Sequence, residues 1–171
     1  MSNWRTLLAE SLRAGTAASI VSTAVLIAGG RAHTGHAFSA TNATSHWVWG
    51  RPALYVNAPS VRHTIIGYTV HHGASIFWAA LHARATAGRP NASSPGAVMT
   101  SALVTAAVAY VVDFWLTPAR LTPGFEHRLP RTTIGAVYLA FGLAMGVAAL
   151  FWRRSVDSKR NRSRLRGQDI G

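Results

Sequence analysis

Long apolar stretches alternate with shorter polar connections along this chain, and charged residues lie mainly in the connections. A helix needs about 20 mainly apolar residues to cross a hydrocarbon core of about 30 Å. Four stretches approach or reach this length, at about residues 12–30, 62–86, 95–116 and 133–152. The pattern therefore predicts an all-α, polytopic membrane protein with four transmembrane helices and a polar cap formed by two external loops.

Residues that favour helix starts set the limits of the predicted spans. An amphipathic segment with Trp4 and Leu8 leads into the first span. Ser94-Pro95 supplies an N-cap and a proline at the first helical position of the third.

A cleaved signal peptide is the alternative for the amino-terminal stretch, because a basic start precedes apolar residues. The length of that stretch and the lack of a nearby Ala-x-Ala sequence favour a retained span.

The connection over residues 31–62 is long and polar. Loops of this length without structure are uncommon, so we expect partial order on the membrane surface. Thr41 or Asn42 is expected to cap a short helix there. That helix would place Trp47 and Trp49 at the lipid headgroups, where indole rings prefer to lie.

Composition strengthens the membrane prediction and excludes several kinds of site. Hydrophobic residues make up 49% of the chain and charged residues 13%, against about 25% charged in a typical soluble domain. The chain has no cysteine, which excludes disulfides, thiolate metal sites and cysteine nucleophiles. No phosphate-binding glycine loop, His-Glu-x-x-His motif or serine nucleophile elbow is present.

Positive charge is concentrated at the carboxyl terminus. The formal net charge is +12, and seven of the 17 lysines and arginines follow the fourth predicted span. A basic cluster beside a membrane helix typically contacts anionic lipid headgroups, at about 1 kcal/mol per residue. We therefore predict a four-helix domain over residues 1–152 and a disordered basic cytoplasmic tail over 153–171, with no nucleic-acid partner. The predicted headgroup contacts are Arg153, Arg154, Lys159, Arg160 and Arg162.

The distribution of basic residues also predicts orientation. The amino terminus, the 84–95 connection and the tail together hold eleven lysines and arginines, whereas the other two connections hold six. Positive charge is retained on the cytoplasmic side of a membrane. Both termini are therefore expected in the cytoplasm, in a bacterial inner membrane.

The second predicted span carries three histidines, His71, His72 and His82. Ionisable residues inside a membrane suggest a functional role. His71 and His82 are separated by about 16 Å along a helix, so they cannot bind the same metal ion. The alternative is structural, because neutral imidazole hydrogen-bonds well to serine, threonine or backbone on a facing helix.

Further histidines and carboxylates lie in or beside the two predicted external loops. Imidazole and carboxylate groups are suitable ligands for divalent metals and for proton relays. The candidate metal ligands are His63, Asp113, His33, His36, His46, Glu126 and His127. In the alternative, Asp113 pairs with Arg120 or with an arginine of the first loop, and the loop histidines are solvated.

Small residues recur at four-residue spacing in two spans. Gly142 and Gly146 form a GxxxG pair in the fourth, and Ala14, Ala18 and Ser22 form a similar row in the first. Such rows allow close helix packing, either within one chain or in a homodimer. The sequence leaves both possibilities open.

Three blocks resemble those of small four-helix bacterial inner-membrane proteins to which no activity is assigned. They are Asn42-Ala-Thr-Ser-His-Trp47, the segment from His71-His72 to Phe77-Trp78, and the segment from Asp113 to Glu126. The resemblance implies a bacterial membrane location, and no catalytic or binding role is carried over from it.

Two classes of function follow. The first, preferred, is a non-enzymatic accessory, scaffold or assembly component without a cofactor. Its partner would be a second copy of the chain, in a homodimer, or another membrane protein. The second is a metal- or proton-handling protein, a small transporter or a metal-dependent enzyme that uses the external histidines and carboxylates with a divalent metal.

Overall fold

The computed structural model describes residues 4–89 and 94–168, and within these ranges the chain is helical and contains no strand. This confirms the all-α prediction. The helices are α1 (Trp4–Thr34), α2 (Ser39–Thr44), α3 (His46–Trp49), α4 (Ile66–Thr86), α5 (Pro95–Val111) and α6 (Arg131–Gln168). π-Helical turns precede α4 (Val61–Ile65) and continue α5 (Val112–Leu116), and 3₁₀ turns span Arg51–Tyr55 and Phe125–His127.

The four long helices pack in the order α4, α1, α6, α5. Helix α1 contacts both α4 and α6 extensively, and α5 packs mainly on α6 and only lightly on α4. Small residues allow these approaches: a Cβ atom at Gly15 would lie 2.6 Å from the Cα of Ile76. Ala18, Ala79 and Ala102 are completely buried in the same core. Close packing of small residues is the usual means of helix association where no hydrophobic force drives it.

Three of these helices are long and apolar enough to cross a membrane: Trp4–Thr34, Pro95–Leu116 and Arg131–Lys159, within the described ranges. The prediction of four spans is therefore supported for three. Helix α4 has 21 residues, enough length for a crossing, but its composition is more polar. Its three histidines and Arg84 account for much of that difference.

Two helices extend beyond their predicted limits. Helix α1 begins at Trp4 rather than near residue 12, so the amphipathic lead-in and the span form one helix. Helix α6 continues to Gln168, where a disordered tail was predicted from residue 153. Arginine and lysine favour helix, and no proline follows residue 152, so nothing in the tail stops the helix. Residues 169–171 of the predicted tail lie outside the described ranges.

Part of the connection between α1 and α4, from Ser39 to His46, is buried, whereas Trp47, Trp49 and most of its other residues are exposed or half-buried. Every residue of α2 is buried, and α2 packs against α1, α4 and the turn at Phe125. Gly67 makes this approach possible, because a Cβ there would overlap the carbonyl oxygen of Thr41. We call α2, α3 and the α5–α6 connection (residues 39–49 and 117–130) the cap.

Asn42 fixes the connection by a different contact from the predicted helix cap. Its side chain is fully buried, and no side-chain cap is made at the start of α2. Nδ2 donates to the carbonyls of Val56 (3.1 Å) and Ala58 (2.9 Å). Oδ1 accepts from the Thr64 hydroxyl at 2.7 Å. Asn42 therefore holds the segment that leads into α4.

At the end of the bundle opposite the cap, a buried ion pair joins α1 and α6. Nη2 of Arg153 lies 2.6 Å from Oε1 of Glu10, and it also donates to the Thr86 hydroxyl of α4 at 2.5 Å. The prediction that Arg153 contacts lipid headgroups is wrong for this reason. Arg154, Lys159 and Arg162 are exposed, as headgroup contact requires, and the side chain of Arg160 lies outside the described part of the structure.

Candidate functional site

A cavity of about 450 Å³ lies between α4 and α5, below the cap. Most of its surface is apolar. Helix α4 supplies one wall from Val70 to Trp78, and the facing walls come from α5 and α6. The cap closes one end of the cavity with Thr44, Trp47, Leu121, Pro123 and Phe125. We call this space the α4–α5 cavity.

The cavity exists because α4 and α5 pack on different partners. A Cβ at Gly142 of α6 would lie 2.9 Å from the Cβ of Ala106 in α5, and one at Gly146 would lie 2.9 Å from Sδ of Met99. The predicted GxxxG pair thus packs within the chain and draws α5 onto α6. Helix α4 packs on α1 instead, and the space between α4 and α5 stays unfilled.

Asp113 and Tyr138 form the polar pair at the cap end of the cavity. The Tyr138 hydroxyl donates to Oδ2 of Asp113 at 2.6 Å. The rings of Tyr110, Phe114 and Phe125 surround Tyr138, with centroids 5.3 to 6.5 Å from its own. This aromatic packing fixes the orientation of the phenol and hence of the carboxylate.

The expected pairing of Asp113 with Arg120 is wrong. Arg120 donates to the backbone carbonyls of His46 and Trp47, each at 2.8 Å. The indole N–H of Trp47 in turn donates to the carbonyl of Thr122 at 2.9 Å. Arg120 therefore holds the two halves of the cap together, and Asp113 has Tyr138 as its hydrogen-bond partner instead.

His71 and Ser22 form a second polar pair, on the wall made by α4 and α1. Nε2 of His71 lies 2.8 Å from Oγ of Ser22, and that hydroxyl also lies 2.7 Å from the carbonyl of Ala18. When the hydroxyl donates to the carbonyl, Nε2 carries the proton and donates to Ser22. His71 is the only one of the three α4 histidines among the residues that line the cavity.

The other two histidines of α4 make similar interhelical contacts elsewhere. Nδ1 of His72 lies 3.0 Å from Oγ of Ser19 in α1, and Nε2 of His82 lies 2.9 Å from Oγ of Ser101 in α5. Each histidine thus pairs with a serine on a neighbouring helix. These contacts are the interhelical hydrogen bonds expected if the histidines have a structural role. His71 makes such a contact and also lines the cavity.

Thr44 is a further polar residue at the cavity. The residue is buried and lines the cap end. Its Oγ1 makes no hydrogen bond within the described part of the structure. This hydroxyl is itself buried, so other atoms of Thr44 form its part of the cavity wall.

The structure separates most of the predicted metal ligands. His63 bonds to Ser45 Oγ (3.0 Å), His33 to Thr133 Oγ1 (2.9 Å) and His46 to the carbonyl of Ala43 (2.9 Å). His127 lies 3.9 Å from Glu126, and His36 is exposed. Over residues 4–89 and 94–168, no three histidine, aspartate or glutamate side chains form a group that could hold a metal ion. Of the seven candidates, Asp113 alone lines the cavity.

Tyr138 and Thr44 were not among the predicted site residues. Tyr138 is one aromatic residue in an apolar span, and Thr44 lies in a segment expected on the membrane surface. Ser22 was part of a small-residue row, but nothing in the row indicates its histidine partner. These residues become a site only through packing between helices distant in sequence.

The cavity combines apolar walls with hydrogen-bonding groups at two positions, which suits the binding of a small amphipathic molecule. Comparison with known protein families, with curated proteins and with solved structures gives no match for this chain.

Proposed function

We propose that the chain is an integral membrane protein in which α4 is a fourth membrane-spanning helix. The polar side chains of α4 that lower its hydropathy are directed at serines of α1 and α5, as the hydrogen bonds of its histidines show. Exposed apolar residues follow along the same helix: Phe77 borders the cavity, and Leu81 lies one turn beyond it. A helix with its polar groups paired inside a bundle and apolar groups outside suits a bilayer.

The orientation proposed from charge places both termini in the cytoplasm of a bacterial cell and the cap on the outer face of the inner membrane. Because the chain lacks cysteine, single-cysteine variants test this without background labelling. Ala119→Cys in the cap and Ser158→Cys in α6 are both exposed positions. A membrane-impermeant maleimide added to spheroplasts should label the first variant and spare the second. The reverse pattern would invert the proposed topology.

Within the membrane, we propose a non-enzymatic binding function: the α4–α5 cavity takes up a small amphipathic molecule from the bilayer. The observation that carries the proposal is the convergence of two polar pairs, Asp113–Tyr138 and His71–Ser22, on one apolar cavity. Apolar walls favour a hydrocarbon body, and these polar groups favour a head that hydrogen-bonds. Such a molecule is available to a membrane protein at high local concentration.

A cavity-filling substitution tests this function. Gly73 lines the cavity, and a Cβ there would meet nothing within 4 Å, so Gly73→Leu adds volume without displacing backbone. Gly135 in α6 is equally open but lies outside the cavity lining, which makes Gly135→Leu the matched control. Protein purified in a mild detergent should carry a lipophilic molecule detectable by native mass spectrometry. Loss of that molecule in Gly73→Leu but not in Gly135→Leu is the expected result, and equal occupancy in both would contradict the proposal.

A proton-handling function is the second candidate. It is favoured by the presence of a carboxylate–phenol pair and a histidine–serine pair in the same cavity. Proteoliposomes with an internal pH dye test it: the candidate predicts proton uptake that Asp113→Asn abolishes. The metal version of this class is tested by elemental analysis of the purified protein beside His63→Ala, where stoichiometric metal lost in the variant would support it.

A further inference from the structure

The α4–α5 cavity has a charge preference in addition to its apolar character. None of the described residues that line it is a lysine or an arginine, whereas Asp113 contributes a carboxylate. Within the described ranges, the ion pairs join other residues and none includes Asp113. Arg120 is the nearest basic residue in sequence, and its terminal nitrogens are bonded to two backbone carbonyls. A negatively charged ligand would therefore meet a carboxylate and no opposite charge.

The Asp113 carboxylate retains one oxygen for a ligand. Tyr138 bonds to Oδ2, and no other described residue donates a hydrogen bond to Oδ1. Glu126 lies close enough to act electrostatically on both Asp113 and Tyr138, so a second carboxylate adds to the negative potential at this end. A carboxylate beside an apolar space is costly unless a proton or a cation neutralises it.

Aromatic rings make up much of the remaining wall. Rings attract cations through their negative faces when the charge approaches within about 6 Å of the centroid. The attraction is larger where the cation is desolvated. The aromatic residues that line the cavity are Trp47, Phe77, Trp78, Phe125, Tyr138 and Phe141.

We propose that the α4–α5 cavity selects a lipophilic cation, an ammonium-type head on a hydrocarbon body. The inference rests on the proposed binding function and adds the chemical class of the ligand. The head lies at the cap end, beside Oδ1 of Asp113 and among the aromatic rings. The hydrocarbon body extends along α4 toward Gly73, where the cavity has open space.

Three probes of matched size separate charge from apolarity. They are n-octyltrimethylammonium, its uncharged carbon isostere with a tert-butyl group in place of the trimethylammonium, and n-octyl sulfate. Binding of each radiolabelled probe is measured on the full chain in nanodiscs, with empty nanodiscs subtracted. The cation is expected to bind most tightly, the isostere about tenfold or more weakly, and the sulfate more weakly still.

Variants assign the preference to the carboxylate. Asp113→Asn keeps the shape and an acceptor for Tyr138, and it should reduce cation binding by about tenfold or more while binding of the uncharged isostere is unchanged. The unchanged isostere also shows that the variant is folded. Tyr138→Phe should retain the preference for the cation, because the carboxylate remains. Asp157→Asn, a carboxylate on the distant end of α6, is the control.

The outcomes distinguish this inference from the function on which it rests. If the isostere or the sulfate binds as tightly as the cation, or if Asp113→Asn leaves cation binding unchanged, the charge preference is wrong. The binding function survives that result when Gly73→Leu still blocks the probes. If no probe binds above empty nanodiscs, both proposals are overturned.

Discussion

Replacing Asn42 by alanine tests whether this buried side chain holds the cap to the start of α4. The substitution removes three hydrogen bonds, at 3.1, 2.9 and 2.7 Å, from a residue with no exposed surface. A net contribution of about 0.5–1.5 kcal/mol for each of the three bonds gives a loss of about 1.5–4.5 kcal/mol in the free energy of unfolding. The Thr64 hydroxyl still accepts from the backbone N–H of Ser60 at 2.9 Å, whereas the two carbonyls lose the donor that Asn42 supplies.

Thr41→Val is the matched control, on the same helix and one residue away. Thr41 is buried too, but its hydroxyl has no hydrogen-bond partner among the described residues. Removing an unpaired buried hydroxyl should leave stability unchanged or raise it by about 1 kcal/mol. Free energies of unfolding come from titration with sodium dodecyl sulfate in mixed micelles. A loss for Asn42→Ala no greater than that for Thr41→Val would refute the role given to Asn42.

Two further predictions concern the contact of α1 with α6 and the contact of α2 with α4. Glu10→Gln should destabilise the fold by about 3–5 kcal/mol in the same titration, because it removes the buried carboxylate that faces the Arg153 guanidinium; an effect below about 1 kcal/mol would mean that the pair is solvated. Gly67→Ala should reduce the yield of folded protein on size-exclusion chromatography, since its Cβ would overlap the carbonyl of Thr41, whereas Gly73→Ala should gain about 1 kcal/mol of helix propensity. Equal behaviour of the two alanine variants would argue against a buried α2.

The long helices were predictable because apolar stretches of spanning length leave few alternatives. Ser94 and Pro95 marked the start of α5 correctly: the Ser94 side chain accepts from the backbone N–H of Ala97. The prediction that residues 39–44 lie on the membrane surface was wrong for a physical reason. Their sequence, Ser-Ala-Thr-Asn-Ala-Thr, is typical of a surface segment, and only the partners supplied by residues 56–64 make their burial favourable.

The candidate site was predictable only in part. Asp113 and His71 stood out because ionisable residues are rare in apolar helices. Their partners did not, because a serine or a tyrosine in a span has no distinct signal until the fold places it opposite a carboxylate or an imidazole. Distances between loops could not be predicted from sequence either. The seven residues were grouped as metal ligands on sequence position alone, and among the described residues no three of them form a metal-binding group.

Photocrosslinking from the wall of the cavity tests the central claim most directly. Benzoylphenylalanine replaces either Phe77, which lines the cavity, or Leu81, which lies one turn further along α4 outside the lining. After irradiation in native membranes, mass spectrometry of the Phe77 variant should show one dominant small-molecule adduct that disappears when Gly73→Leu is added. The Leu81 variant should show adducts of bulk lipid that Gly73→Leu leaves unchanged. Bulk lipid alone at both positions, unaffected by Gly73→Leu, would contradict a binding function for the α4–α5 cavity.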